Sequence, residues 1–597
     1  MPIGVRKRGH ELTLLFNDAD SFVEEAVEGF VAANRRWVRA VPGGVVRRVP
    51  PRDPTVAVVI GGGSGHYPAF SGLVGTGLAH GAVIGNVFAS PSADQVHRVA
   101  ASCLTGAGVL FSYGNYAGDV LNFDQAQERL IAEGIPCRTV VVTDDISSAP
   151  AGEVHRRRGI AGGLLVFKIA GAAADEGRSL DEVAAVASRA NEQCRSLGVA
   201  FSGCTLPGAA SRLFEVPLGR MAVGMGIHGE PGIREQEMPS ADQLAQLFVD
   251  SLLVERPATV LDVSGARVVV VLNGLGAIKY EELFVLYWRI AKELGRAGVT
   301  VVDARVGEFV TSLDMAGASM TILWLDDELE SLWAAPADSP AFVNVSSPLS
   351  EAAPAPAEDT VSTIAREVPT STEESRLAAS TVVAAVRSIR EAIDERADEL
   401  GRMDSVAGDG DHGLGMQRGA RAAAAAAELA EAHGAGVRTT LMHAADAWAD
   451  RAGGASGALW GVALHALAAE LSDESHPTPS ELAAAVAAAA RALRIAGKAQ
   501  PGDKTMVDAL EPFAAAFVKA VDKGESKADA WKVASEAAAG GAEATKSMVA
   551  KVGRARTHGQ QSLGTPDPGA ASFAVVVQAV MPILEEHPRP PKEVRRA

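Results

Sequence analysis

Between about Ala335 and Thr372 the sequence stops reading as folded protein, and the stretches on its two sides differ in kind. Pro, Ala, Ser and Glu dominate there, as in Ser346-Ser-Pro-Leu-Ser-Glu-Ala-Ala-Pro-Ala-Pro-Ala-Glu-Asp359, with too little apolar content to build a core. Before it, short β-branched runs alternate with helical patterns: Thr55-Val-Ala-Val-Val-Ile60, Thr139-Val-Val-Val-Thr143, Arg267-Val-Val-Val-Val-Leu272 and Val299-Thr-Val-Val-Asp303. After it, strand signals nearly vanish and alanine-rich stretches such as Arg418 to Ala432 and Glu481 to Ile495 take over. A chain of 597 residues is also too long for one core. The pattern predicts a multidomain protein: an α/β domain over 1–335, a linker over 336–373, an all-α domain over 374–590 and a polar tail over 591–597.

With 47% hydrophobic and 21% charged residues the composition is that of a soluble globular protein. The net charge of −18 argues against general nucleic-acid or anionic-membrane binding. It leaves room for a phosphorylated substrate, because a metal and local backbone amides can offset it. Cys103, Cys137, Cys194 and Cys204 show no C-x-x-C spacing and read as reduced, mostly buried thiols. The start lacks an apolar leader core and no apolar run approaches membrane-spanning length, so a cytoplasmic protein is expected.

The densest chemistry lies in Met403-Asp-Ser-Val-Ala-Gly-Asp-Gly-Asp-His-Gly-Leu-Gly-Met416, where Asp404, Asp409 and Asp411 crowd into eight residues. Left alone, these carboxylates raise one another's pKa. A hard divalent cation resolves that conflict, and Mg²⁺ prefers carboxylate, water and phosphate oxygen. A lone D-G-D is more often a solvated acidic turn, and no Glu closes an EF-hand loop here. Three further loops change the weighing: Gly453-Gly-Ala-Ser-Gly-Ala-Leu-Trp-Gly461, Gly497-Lys-Ala-Gln-Pro-Gly-Asp-Lys-Thr-Met-Val-Asp-Ala-Leu510, and Gly553-Arg-Ala-Arg556 with Asp567-Pro-Gly-Ala-Ala571. Gly confined to loops that also carry Asp, Ser, Lys and Arg fits a phosphate site built at helix ends. No G-x-x-x-x-G-K-[S/T] run exists, which disfavours a Walker-type NTPase.

In the first half, the strand ending at Ile60 runs into Gly61-Gly-Gly-Ser-Gly-His-Tyr-Pro68. That places His66 at the carboxyl end of a sheet, where α/β folds bind ligands, although a histidine in a lone turn is more often structural. Asp119 follows another apolar strand in Tyr113-Gly-Asn-Tyr-Ala-Gly-Asp-Val-Leu-Asn-Phe123, and His228 is hemmed in by glycines in Met225-Gly-Ile-His-Gly-Glu-Pro-Gly232. His80, His97 and His155 lack such surroundings and read as ordinary surface or core histidines.

The ordered set G-D-G-D-H-G, G-G-A-S-G-A, P-G-D-K-T-M-x-D-A-L and D-P-G-A-A-S resembles the nucleotide-binding domain of the dihydroxyacetone kinase family. The first-half segments, with Phe167-Lys-Ile-Ala-Gly-Ala-Ala-Ala174, Leu272-Asn-Gly-Leu-Gly-Ala277 and Thr311-Ser-Leu-Asp-Met-Ala-Gly317, look like its substrate domain. The resemblance implies a two-lobed α/β ketose-binding domain, a barrel of antiparallel helices holding ATP and Mg²⁺, and a homodimer. It puts magnesium on Asp404, Asp409 and Asp411. It puts the nucleotide on His412, Gly413, Leu414, Gly415, Ala455, Ser456, Gly497, Thr505, Met506, Arg554, Asp567, Pro568 and Gly569. It makes His228 the residue that adds to the ketone carbon as a hemiaminal, His66 a hydrogen-bond partner of the substrate, and Asp119 the acceptor of the hydroxyl proton. Gly63, Ser64 and Gly65 would line the ketose with His66.

Three departures sit beside the substrate segments: Tyr67 for the usual Glu, Gly114 for the usual Lys and Asn86 for the usual Asp. Loss of a lysine and an acid removes charge and frees space, so a ketose one carbon longer than dihydroxyacetone is expected. The G-H-Y-P-A-F version looks like the branch containing erythrulose kinases, with D-erythrulose 4-phosphorylation favoured. The alternatives are a plain dihydroxyacetone kinase, an L-erythrulose 1-kinase, an FAD-cyclising lyase, a form drawing phosphate from a protein donor, and a non-enzymatic regulator.

Overall fold

The computed structural model describes residues 14–209, 211–345, 368–406, 408, 410–452, 454–552 and 560–586. The chain divides into two compact units, 1–353 and 354–597.

The first unit holds two six-stranded sheets. Sheet one contains Val38–Val41 (β1), Gly44–Arg47 (β2), Ala57–Ser64 (β3), Gly81–Val87 (β4), Val109–Gly114 (β5) and Cys137–Val142 (β6), in the order β1-β2-β4-β3-β5-β6. β4, β3, β5 and β6 run parallel, and their valine-rich, non-alternating sequence follows from burial on both faces. β3 pairs with β4 on one side and β5 on the other. The crevice beyond its carboxyl end is therefore a topological switch point.

Sheet two contains Cys194–Ala200 (β7), Arg220–Val223 (β8), Arg234–Glu237 (β9), Arg267–Gly274 (β10), Thr300–Gly307 (β11) and Gly317–Trp324 (β12), ordered β11-β10-β12-β7-β8-β9. The helix Ala117–Ala132 (α1) follows β5. The helix Gly162–Asp175 (α2) packs against strands of both sheets and is buried along nearly its whole length. That explains an apolar residue at almost every position. Gly171 permits the packing, since a Cβ there would fall 2.2 Å from the Leu78 carbonyl oxygen. The one cation of α2, Lys168, donates to the Leu332 carbonyl at 2.7 Å. The helix Tyr280–Arg296 (α3) covers β10 and β11.

The first residues of the linker expected over 336–373 are folded in the structure. Ala337–Asp338 (β13) pairs with Val343–Asn344 (β14), Phe342 is buried, and Trp37 donates to Asp338 Oδ1 at 2.8 Å. The Pro- and Ala-rich composition hid the buried positions Ala337, Ser339 and Phe342 that anchor this segment to the first unit.

Among the described residues the second unit contains eight α-helices: Glu373–Asp404 (α4), His412–Ala432 (α5), Val437–Ala452 (α6), Gly454–Ala469 (α7), Pro479–Gly497 (α8), Val507–Asp522 (α9), Lys527–Ala544 (α10) and Pro568–Glu586 (α11). Each packs on the next and α11 packs back on α4, closing a ring. Its interior keeps an apolar cavity of about 690 Å³. The expectation that no apolar run approaches membrane-spanning length fails at α11, where Pro568–Glu585 is long and apolar enough to cross a membrane. Here Phe573, Val576 and Val577 spend that character on the core of the ring.

Candidate functional site

β3 carries the chain to His66 through glycines that nothing larger could replace. A Cβ at Gly62 would fall 2.5 Å from the Phe70 ring, one at Gly63 2.7 Å from the Ala89 nitrogen, and Gly65 has φ +100°. His66 stacks on Phe88 with centroids 4.9 Å apart and donates from Nδ1 to the Thr311 carbonyl at 2.7 Å. Burial and then the charge of His228 hold its pKa down to about 3, against the Thr311 bond.

His228 comes from the other sheet, in the loop joining β8 to β9. Its Nε2 lies 2.9 Å from His66 Nε2, and its Nδ1 faces Glu230 Oε1 at 3.1 Å. Glu230 Oε2 accepts from the His228 backbone N–H at 3.0 Å. Burial opposes Glu230's ionisation, but hydrogen bonds and charge from His228 outweigh it and hold the carboxyl down at about 2. The Thr311 carbonyl and the Glu230 carboxylate can only accept, which assigns an Nδ1–H to each histidine and leaves one shared proton for the Nε2–Nε2 hydrogen bond.

Asp119 sits in the first turn of α1, 9% exposed, with Oδ1 buried and without a hydrogen-bond partner. Burial raises its pKa to about 6, despite a Ser90 hydrogen bond. His66, Asp119 and His228 line one small cavity together with Gly63, Gly114 and Tyr116. Tyr116 meets the His228 ring edge-on, with centroids 4.8 Å apart. Ser64, expected to line the ketose, donates to the Gly85 carbonyl at 2.7 Å, and Gly65 packs toward Phe88. Sequence reasoning missed Thr311, Phe88 and Glu230 as partners of the histidines. Only Glu230 left a signal, two residues after His228.

In the second unit, the turn after α4 wraps around Asp404. Its Oδ2 accepts from the Gly410 and His412 backbone N–H groups at 2.9 and 3.4 Å, and its carbonyl from Gly408 at 2.7 Å. Asp411 is the N-cap residue of α5. Asp409 and Arg554 lie outside the described residues, as does the side chain of Ala455 at the start of α7. Asp404 and Asp411 offer hard oxygen donors that suit Mg²⁺ completed by phosphate and water oxygen. Among the described residues no three such side chains converge.

The buried His412 pairs Nε2 with Ser572 Oγ at 2.9 Å and Nδ1 with Ser456 Oγ at 3.4 Å. It thereby ties together the starts of α5, α7 and α11. Burial lowers its pKa, opposed by Asp404. Asp567 caps α11 by accepting from the Ala570 N–H at 2.7 Å, and burial of its carboxyl raises its pKa to about 7. Beside it, a Cβ on Gly569 would lie 3.4 Å from Met506 Cβ. Asp508 accepts from Gly502 and Thr505 backbone N–H groups at 2.5 and 2.8 Å. Lys504 is spent internally: its Nζ donates to the carbonyls of Met548 at 3.1 Å and Thr565 at 2.9 Å, and to that of Ser562. Gly497 is set against Leu459, and Leu414 is 58% exposed. The arrangement is a group of helix starts and glycine loops at one end of the ring, a geometry that receives anions.

Known proteins match both units. The Dak1 domain matches residues 28–341 and the DAK2 domain residues 406–582. The L-erythrulose kinase of Pectobacterium atrosepticum is 55% identical over 574 residues, 96% of this chain and 97% of that one. Mycolicibacterium smegmatis has an L-erythrulose 1-kinase 50% identical over 571 residues and a D-erythrulose kinase 49% identical over 572. Each spans 95% of this chain, and 99% and 98% of their own lengths. The crystal structure of the dihydroxyacetone kinase from C. freundii in complex with AMP-PNP and Mg²⁺ aligns with a TM-score of 0.58 at 29% identity, covering 96% of this chain and 99% of that one.

Proposed function

Because this chain belongs to the dihydroxyacetone kinase family, we propose that it is an ATP-dependent kinase that phosphorylates a terminal hydroxyl of erythrulose held covalently on His228. The observation that carries this is the meeting of the His66–His228 pair with the Asp119 carboxylate, whose buried Oδ1 has no hydrogen-bond partner, in one glycine-walled cavity.

The proton count gives a balanced capture step. The proton between the two Nε2 atoms moves to His66, freeing the His228 Nε2 lone pair to add to the keto carbon. The carbonyl π pair goes to oxygen, which takes that same proton back from His66 Nε2. The product is a carbinol on an N-alkylated His228 ring whose positive charge faces the Glu230 carboxylate. A covalent hold suits a small substrate offering few hydrogen bonds, and it selects ketoses over polyols. Asp119 then accepts the proton of the terminal hydroxyl as its oxygen bonds to the γ-phosphorus and the bond to ADP breaks. Mg-ATP supplies the phosphoryl group and the charge neutralisation. In this reading Asp404, Asp409 and Asp411 would hold the metal. The helix starts at His412 to Gly415, Ala455 and Ser456, with Gly497, Thr505, Met506, Arg554 and Asp567 to Gly569, would hold the nucleotide.

Erythrulose is preferred over dihydroxyacetone on two grounds. Gly114 leaves the cavity wall bare beside Tyr116, and relatives named for L- and D-erythrulose match over nearly the full chain. Kinetics with Mg-ATP and dihydroxyacetone, D-erythrulose or L-erythrulose test the reading and fix the enantiomer. One erythrulose is expected to show the highest kcat/KM, and a dominant dihydroxyacetone overturns the tetrulose assignment.

The proposal extends to a homodimer through the outer face of α3, where Tyr280, Phe284, Val285 and Trp288 are 46–57% exposed. Four free, buried cysteines support a cytoplasmic setting.

A further inference from the structure

Behind His228 lies a second charged layer that the steps above leave unused. Arg158, 14% exposed, donates from Nε and Nη2 to Asp145 Oδ2 at 3.0 and 2.8 Å, and from Nη2 to the Gly224 carbonyl at 3.1 Å. Asp145 is fixed in turn by the Ser147 backbone N–H at 2.9 Å and the Ser147 hydroxyl at 2.6 Å. The backbone of Arg158 is pinned as well: its carbonyl accepts from Asp145 N at 3.1 Å and its N–H donates to Ser148 Oγ at 2.9 Å. The remaining Nη1 lies 3.8 Å from Glu230 Oε2, the oxygen that accepts from the His228 backbone. Gly226 makes this approach possible, since a Cβ there would fall 2.0 Å from Glu230 Oε2 and 2.5 Å from Arg158 Nη1.

We propose that Arg158 is a positioning residue for ketose capture: anchored on Asp145, it holds Glu230 Oε2 so that Oε1 faces His228 Nδ1, leaving Nε2 as the nitrogen that reaches the keto carbon. The inference rests on the His228 adduct proposed above. Glu230 lies in a loop between two short strands, where the His228 N–H holds Oε2 and the Arg158 guanidinium adds the opposite charge beside that same oxygen. An imidazole that loses its Nδ1 partner can present either nitrogen. The adduct also leaves a positive ring against Glu230, so the carboxylate has to keep its place throughout the cycle. A guanidinium locked by a fork to Asp145 provides that fixed point without donating a proton to the reaction.

The full chain is tested with [2-¹³C]erythrulose, following by NMR the conversion of the keto carbon to a saturated adduct carbon, beside steady-state kinetics. Wild type is expected to show the adduct; its absence there sinks the His228 reading itself, whatever Arg158 does. In R158Q the ketose KM is expected to rise roughly tenfold to a hundredfold, with a matching fall in adduct fraction and kcat little changed. R158K, which keeps the charge and loses the fork, is expected to fall between. In R158A, millimolar guanidinium is expected to restore adduct and KM where equal urea does not. These two variants carry the test if R158Q does not fold. An R158Q enzyme with wild-type KM and adduct fraction overturns the proposal, as does one that loses kcat alone.

Discussion

The two units build their sites by opposite means. In the α/β unit three side chains from distant segments are brought within one cavity, and each is set by its surroundings: Thr311 for His66, Glu230 for His228, burial for Asp119. In the helical unit the described polar side chains are largely committed to one another or to backbone. His412 links two serines, Lys504 caps three carbonyls, and Asp508 holds the 502–505 turn. What that unit leaves available for a ligand is backbone N–H groups, glycine space and acid oxygens. Recognition of a small neutral sugar calls for bond-forming side chains. Recognition of a polyphosphate needs mainly oriented dipoles and a cation.

The sharpest way to break that contrast is H228A. It is expected to abolish the adduct and lower kcat/KM for erythrulose by ~10⁴-fold or more, because covalent capture supplies the positioning. Binding of a fluorescent ATP analogue should stay at the wild-type level. D119N is expected to lower kcat by ~10²–10³-fold while the adduct persists, which separates capture from transfer. D404N is expected to do the converse: the rise in Tm on adding Mg-ATP disappears and kcat falls by at least about tenfold, with adduct formation untouched. A pH profile tests Asp119 directly. The group accepts a proton only when ionised, and its pKa is raised to about 6. So kcat/KM should fall about tenfold per unit as pH drops below that value, with no such limb in D119N. The smallest effect is expected from G114A, whose added Cβ would lie 3.0 Å from the Tyr116 ring and 3.1 Å from the Gly159 carbonyl oxygen. It should raise KM a few-fold more for erythrulose than for dihydroxyacetone.

The positions of His66, Asp119 and His228 were legible because each follows a strand or lies among glycines, and those are local signals. Their partners were not. Thr311 meets the His66 ring through its backbone carbonyl, 245 residues away, and any residue type has one. The commitment of Ser64 to Gly85 was hidden for the same reason, since a glycine-flanked hydroxyl looks available until the neighbouring strand is known. The change from α/β to all-α was plain in the periodicity. The extent of the linker was not, because Ala337 and Phe342 are too sparse an apolar pattern to register. The apolar length of α11 was missed because Gln578 and Pro582 break its aliphatic stretch into short runs.

Closure of the helical ring joins the beginning of that unit to its end: Ser388 on α4 donates to the Ala579 carbonyl on α11 at 2.7 Å, across 191 residues. During synthesis the α/β unit can finish folding while the helices still wait for the last of their number to leave the ribosome. Until it does, the aliphatic lining of the hollow centre lacks the helix that completes its wall.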